Sequence, residues 1–142
     1  MEQRTNMAIE NFKKGYNCAQ AVVCAYCDAF GMKEEDAFRI AEGFGGGMGG
    51  LGETCGAVTG MYMVLSLINS KGDLTNPRET KKDTYKIIQT LSKEFEAKNQ
   101  STICRELKGQ NGAPLRSCIG CVEDAAALLD AYLSDLPHLE NK

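Results

Sequence analysis

No stretch of about 20 apolar residues occurs in this 142-residue chain, which excludes a helical membrane span. The segment from Met1 to Asn17 holds no apolar run of signal-peptide length, so the expected location is cytoplasmic. No block of Lys or Arg appears, and the formal net charge is -3. Phosphate binding needs a basic footprint, so nucleic acid is excluded as a partner class. Alternating β-branched runs bounded by turns are absent, and no sheet is expected. No internal repeat is visible. The single histidine, His138, follows Pro137 in a polar tail and reads as solvated, not as a ligand.

What remains is ordinary globular composition, 43% apolar and 25% charged, with helical patterning. A first helix is predicted from Asn6 to Phe30. Its stripe is Phe12, Tyr16, Ala19, Val23, Tyr26 and Phe30, recurring at three and four residues. Gly31 caps it. A short helix over Glu34 to Glu42 follows, with Ala37, Ile40 and Ala41 on one face. A third is predicted from Thr54, as N-cap, to Ser70, with Val58, Met61, Tyr62, Leu65 and Ile68 inward. For the fourth, Asn76, Pro77 and Glu79 form a capping signature. It continues to Ala97 with Tyr85, Ile88, Leu91 and Phe95 inward. A short turn or helix holds Cys104 to Leu107, and Gly109 to Pro114 is a loop. The last helix runs from Ser117 to Leu133, burying Val122, Ala125, Ala126, Leu129 and Leu133. The expected fold is all-α: residues 1–142 as one helical bundle of about five to six helices with a long glycine-rich loop.

That loop, Gly43 to Gly52, has seven glycines in ten residues. Glycine loses too much backbone entropy for this to be a comfortable helix. It is no dinucleotide fingerprint, which must follow a strand, and no Walker loop, which needs a Lys-Ser/Thr after its last glycine. Gly45, Gly46, Gly47 and Gly56 instead suit a backbone passing close to a bound cofactor.

Seven cysteines are many for a chain expected in a reducing compartment, and point to metal binding or thiol chemistry. Cys55, Cys104 and Cys118 fall at or near predicted helix starts, where the positive helix end favours thiolate. Cys55 is the candidate attacking thiolate. Nearby Glu53 is either a proton acceptor for it or a solvated loop charge. On a straight first helix Cys18 lies about 120° from the stripe, opposite to Cys24 and Cys27, so its partner must come from another helix. Cys24 and Cys27 read as structural. In C-I-G-C, Cys118 shares the face of Val122, whereas Cys121 is rotated about 100° towards the edge.

The combination G-Y-N-C-A-Q-A-V (15–22), G-F-G-G-G-M-G (43–49), C-G-A-V-T-G (55–60), C-R-E-L (104–107) and C-I-G-C-V-E-D-A-A (118–126) resembles the redox-active family named for its cysteine pattern, C_GCAxxG_C_C. The resemblance maps four characteristic cysteines onto Cys18, Cys55, Cys104 and Cys118, the last through Val122 four residues on. Cys24, Cys27 and Cys121 are then extras, although Cys121 competes with Cys118 for the fourth place. It implies redox activity and kinship with a cytochrome domain. The heme motif C-x-x-C-H is missing here, with Asp28 and Val122 in the histidine positions.

Two function classes follow. In the first, Cys55, Cys18 and Cys118 are catalytic in a redox or electron-transfer protein. Either Cys18, Cys55, Cys104 and Cys118 hold an iron–sulfur cluster, or pairs of them cycle between dithiol and disulfide, with Cys18 or Cys118 resolving. In the second, the same four cysteines hold zinc in a structural or carrier module. The expected partners are a redox protein or a small-molecule electron carrier, or a second copy in a homodimer.

Overall fold

The computed structural model describes residues 2–110 and 112–136; His138 lies outside them. Among the described residues the chain is helical, with no strand and one isolated bridge, Thr54 to Ile103. The helices are α1 (Thr5–Lys13), α2 (Cys18–Tyr26), α3 (Glu34–Ala41), the single turn α4 (Gly45–Met48), α5 (Gly56–Asn69), α6 (Lys81–Asn99), the single turn α7 (Cys104–Leu107) and α8 (Cys118–Ser134). None is long and apolar enough to cross a membrane. Helix α2 packs against α1, α3, α5 and α8, and α5 against α6 and α8. The core between them is built of Val22, Tyr26, Val58, Met61, Leu65, Val122 and Leu129.

The predicted first helix is two helices. Gly15 takes φ +109°, which an L side chain rarely adopts, and Asn17 then starts a new helix. Its side chain accepts from the Gln20 backbone amide at 2.9 Å, and the Gln20 side-chain oxygen Oε1 accepts from the Asn17 backbone amide at 3.0 Å. This reciprocal cap makes Cys18 the first residue of α2. Gly31, at φ +80°, does close the 3-10 turn Cys27–Phe30 after α2.

Two other helix starts shift. Thr54 lies in the bridge, and Cys55 is the N-cap of α5. The Asn76–Pro77–Glu79 signature does not begin α6, which starts at Lys81 after Thr80. Asp73 competes locally: its carboxylate accepts from the Thr75 amide at 2.9 Å and hydroxyl at 2.7 Å, and the chain turns before it winds. Tyr85 is 55% exposed and Ile40 60% exposed, against expectation. Periodicity sets the side of the helix on which they stand, but packing does not cover that side: Ile40 lines an open groove with Val23, Phe44 and Met63. In α8 the expected inward residues are all buried, and Ser117 caps it by accepting from the Gly120 amide at 3.0 Å.

Gly46, Gly47, Met48, Gly49 and Gly50 all have φ between +63° and +81°. The glycine run thus forms a left-handed turn, closed by the Gly50 amide donating to the Gly45 carbonyl at 3.0 Å. This hand costs a non-glycine residue about 1–2 kcal/mol at each position, which accounts for the composition.

Candidate functional site: a five-cysteine pocket

The left-handed turn sends the chain back along itself. The amides of Gly52 and Glu53 donate to the carbonyls of Gly46 and Gly47 at 3.1 and 2.9 Å. The segment then pairs antiparallel with 102–105. The Cys55 amide donates to the Thr102 carbonyl at 2.8 Å, and the Cys104 amide to the Glu53 carbonyl at 2.6 Å. This short ladder sets Cys55 beside Cys104. Helix α5 leads away from Cys55, and its partners α2 and α8 start alongside, bringing Cys18 and Cys118 to the same point.

The result is one small cavity of about 30 Å³ lined by Cys18, Cys55, Cys104, Cys118 and Cys121. The four cysteines expected to meet all line it, and Cys121 joins them. Cys18, Cys104 and Cys118 are the first residues of α2, α7 and α8, and Cys55 is the N-cap of α5. Four of the sulfurs thus belong to residues at helix starts, where the positive helix end favours negative charge. Cys121 was read as an edge residue but is buried. Its stripe Cys121, Ala125, Leu129 (i, i+4, i+8) is buried throughout, and that spacing was the signal available. Cys24 and Cys27 lie elsewhere, in contact with the Glu34 and Cys24 carbonyls respectively.

The glycines make the approach feasible. A Cβ on Gly47 would stand 2.5 Å from Cys104 Cβ, and one on Gly56 would stand 3.1 Å from Cys18 Cβ. A Cβ on Gly45 would meet the Asn17 side chain at 2.6 Å, whereas one on Gly46 would meet nothing within 4 Å. Three of these four positions thus let protein segments touch, and Gly46, Gly47 and Gly56 line the cavity.

The charged side chains on the wall are Lys108 and Arg116. Arg116 lies over Gly120 and donates to the buried Asp124 carboxylate at 3.0 Å; Lys98 donates to the same carboxylate at 2.7 Å. Burial opposes the charge on Asp124, but these donors hold its carboxyl below the usual range. Glu53 turns outward to pair with Arg105 at 3.2 Å.

The sulfurs do not ionise alike. The neighbouring Cys121 thiol favours the Cys55 thiolate most, and the Ala57 and Val58 amides and the Lys108 ammonium add to this. Together they outweigh burial and bring Cys55 down to about 7. Cys121 moves the other way, first because of the neighbouring Cys55 sulfur and then because it is buried. Burial, followed by the nearby Cys55 and Cys118 sulfurs, pushes Cys18 up to about 12. Burial also raises Cys104, with Lys108 opposing. The pocket therefore sets Cys121 next to Cys55 and Cys18 next to Cys118. Among the described residues, no three His, Cys, Asp or Glu already stand in metal-holding positions.

An uncharacterized protein of Archaeoglobus fulgidus (strain ATCC 49558 / DSM 4304 / JCM 9628 / NBRC 100126 / VC-16) is 31% identical to this chain over 144 residues, covering 94% of this chain and 95% of the relative. No solved structure matches the chain. A family model described as "Putative redox-active protein (C_GCAxxG_C_C)" matches residues 16–132. That span includes every cysteine of the pocket, and the chain belongs to the C_GCAxxG_C_C family.

Proposed function

We propose that this protein is a cysteine-based electron carrier whose buried redox couple is Cys55 and Cys121. The observation that carries this reading is that Cys55 and Cys121, 5% and 2% exposed, line one small pocket together, where Cys121 and Lys108 favour the Cys55 thiolate. Thiolate is the nucleophile in disulfide exchange, and an attacking thiol works best with a pKa near ambient pH. Cys55 attacks one sulfur of a disulfide presented to it. That disulfide bond breaks, and the distal sulfur leaves as thiolate and takes up a proton. Cys121 loses its proton and attacks Cys55 Sγ, so the second sulfur of the oxidant departs. Two electrons have passed from the Cys55–Cys121 dithiol to the disulfide. Cys121, next to Cys55, takes the resolving place first assigned to Cys18 or Cys118.

The test is alkylation mapping of the full chain equilibrated across thiol–disulfide redox buffers. The expected result is loss of free Cys55 and Cys121 together, joined in one disulfide. Free thiols at both positions under the most oxidising buffer overturn the reading.

A metal-centred reading rests on a different observation, the four helix starts around the sulfurs. In it, Cys18, Cys55, Cys104 and Cys118 are the ligands, and Gly45, Gly46, Gly47 and Gly56 keep bulk away from the bound group. An iron–sulfur cluster would supply one-electron chemistry; zinc would supply structure alone. Anaerobically purified protein with an absorption band near roughly 400 nm that bleaches on reduction supports the iron–sulfur version. Colourless protein carrying one zinc supports the structural one. Partners of either version are a redox protein or a small-molecule carrier, with a homodimer open to sedimentation analysis.

A further inference from the structure

Cys55 faces a difficulty of access. It is 5% exposed and Cys121 2% exposed, and the cavity before them has about 30 Å³ of free volume. That is room for one or two water molecules, and no disulfide of a peptide or a tripeptide-sized thiol fits there. Cys18 and Cys118, by contrast, are only partly buried. They line the same small cavity as Cys55 and Cys121, so they stand next to each other and to the inner sulfurs. Their backbones are fixed at the first turns of α2 and α8 by the Asn17 and Ser117 caps. A partly exposed pair of thiols thus stands beside a buried pair, and the cavity is too small for a substrate to bypass it.

We propose that Cys18 and Cys118 form an outer dithiol couple, the port through which a small external disulfide exchanges electrons with the buried Cys55–Cys121 couple. This rests on the reading of Cys55 and Cys121 as the inner couple. In the first stage, one outer thiol attacks the external disulfide and releases one thiol from it. The other outer thiol then closes the Cys18–Cys118 bond and releases the second. In the second stage, Cys55 as thiolate attacks Cys18 Sγ. The Cys18–Cys118 bond breaks and Cys118 leaves as thiolate. Cys121 gives its proton to the Cys118 sulfur and attacks Cys55 Sγ, and Cys18 leaves as thiolate. One disulfide, one proton and one negative charge are present before and after this stage, and the two electrons now reside on the outer pair. The outer pair can then reduce a second external disulfide. The pocket accordingly stores four electrons in two couples, and Cys104 stays a thiol throughout.

The experiment uses the full reduced chain with oxidised glutathione as the probe, quenched by acid and alkylation at timed intervals and mapped by mass spectrometry. In the wild type, a glutathione adduct on Cys18 or Cys118 is expected first, then the Cys18–Cys118 bond, then Cys55–Cys121. In Cys18→Ser and Cys118→Ser the inner bond should form at least about 100-fold more slowly, because the exchange partner of Cys55 is gone. Cys24→Ser should keep the wild-type rate. The order of bonds in the unmutated chain is a second readout that does not depend on any variant folding. Formation of the inner bond at the wild-type rate in both serine variants overturns the outer couple and leaves the inner one intact. An inner bond that never forms in the wild type overturns the inner couple, and this inference with it. A glutathione adduct appearing first on Cys55 overturns the port.

Discussion

The Cβ of Cys18 stands 3.1 Å from where a Cβ on Gly56 would be, so the start of α2 rests against the start of α5 with no side chain between them. The Phe44 carbonyl oxygen would stand 2.9 Å from the same Cβ. Gly56→Ala therefore has to push α2 and the glycine turn away from α5. The expected cost is about 1–3 kcal/mol, read as a lower urea midpoint with an unchanged slope. Alkylation mapping of the same variant should show slower joining of Cys55 to Cys121. A variant of wild-type stability would mean that these helices do not touch here.

Asp130, in α8, secures the first helix from outside. Its carboxylate accepts from the amides of Arg4 and Thr5 and the Thr5 hydroxyl, at 3.0, 3.1 and 2.6 Å. The buried Tyr26 hydroxyl donates to it at 2.6 Å. Helix α1 has no side-chain cap of its own, so Asp130 supplies the missing acceptor. Asp130→Ala should destabilise the chain by about 2–3 kcal/mol, since several buried donors lose a charged acceptor. Tyr26→Phe should cost less, about 1–2 kcal/mol. Urea unfolding followed by circular dichroism measures both, and equal losses would contradict the proposed division.

Stability should vary with pH through the pocket. Cys55 is lowered to about 7 in the folded chain, below the free thiol at about 8.5. Between these values the unfolded chain holds the extra proton, so stability rises with pH. That contribution is fully present above about pH 9 and is lost as pH falls through about 7. Cys18, raised to about 12, acts in the opposite sense. Its contribution is present below the free-thiol value and fades as pH climbs towards 12. Denaturant midpoints under reducing conditions should therefore rise from pH 6.5 to about 8.5 and fall beyond it. In Cys55→Ser the rising limb should vanish and the falling limb persist.

The cysteines outside the pocket offer a contrast. Cys24 and Cys27 are buried, away from the other five. Cys24→Ala should cost about 1 kcal/mol through lost packing and leave redox titration or metal loading unchanged. Cys55→Ala should abolish either one. Equal functional loss in both variants would show that the separation of the two groups is immaterial.

Much of this architecture is written locally. The Val122, Ala125, Ala126, Leu129 and Leu133 stripe of α8 is plain from its spacing, and all five are buried. The Asn17–Gln20 cap went unread, because the apolar stripe runs on across Gly15 and suggests one helix where there are two. Family spacing pointed to Cys18, Cys55, Cys104 and Cys118, and all four line the cavity.

Residue order alone settled the helical class, the helix-start positions of Cys55, Cys104 and Cys118, and the need for glycine from 43 to 52, because backbone preference and one-turn periodicity act within a few residues. Only the packed structure decided that Cys121 belongs to the site and that Ile40 stays in solvent. A helical angle says which way a side chain points. Whether anything waits there depends on how distant segments pack, as when the antiparallel ladder of 52–55 on 102–105 sets Cys55 beside Cys104.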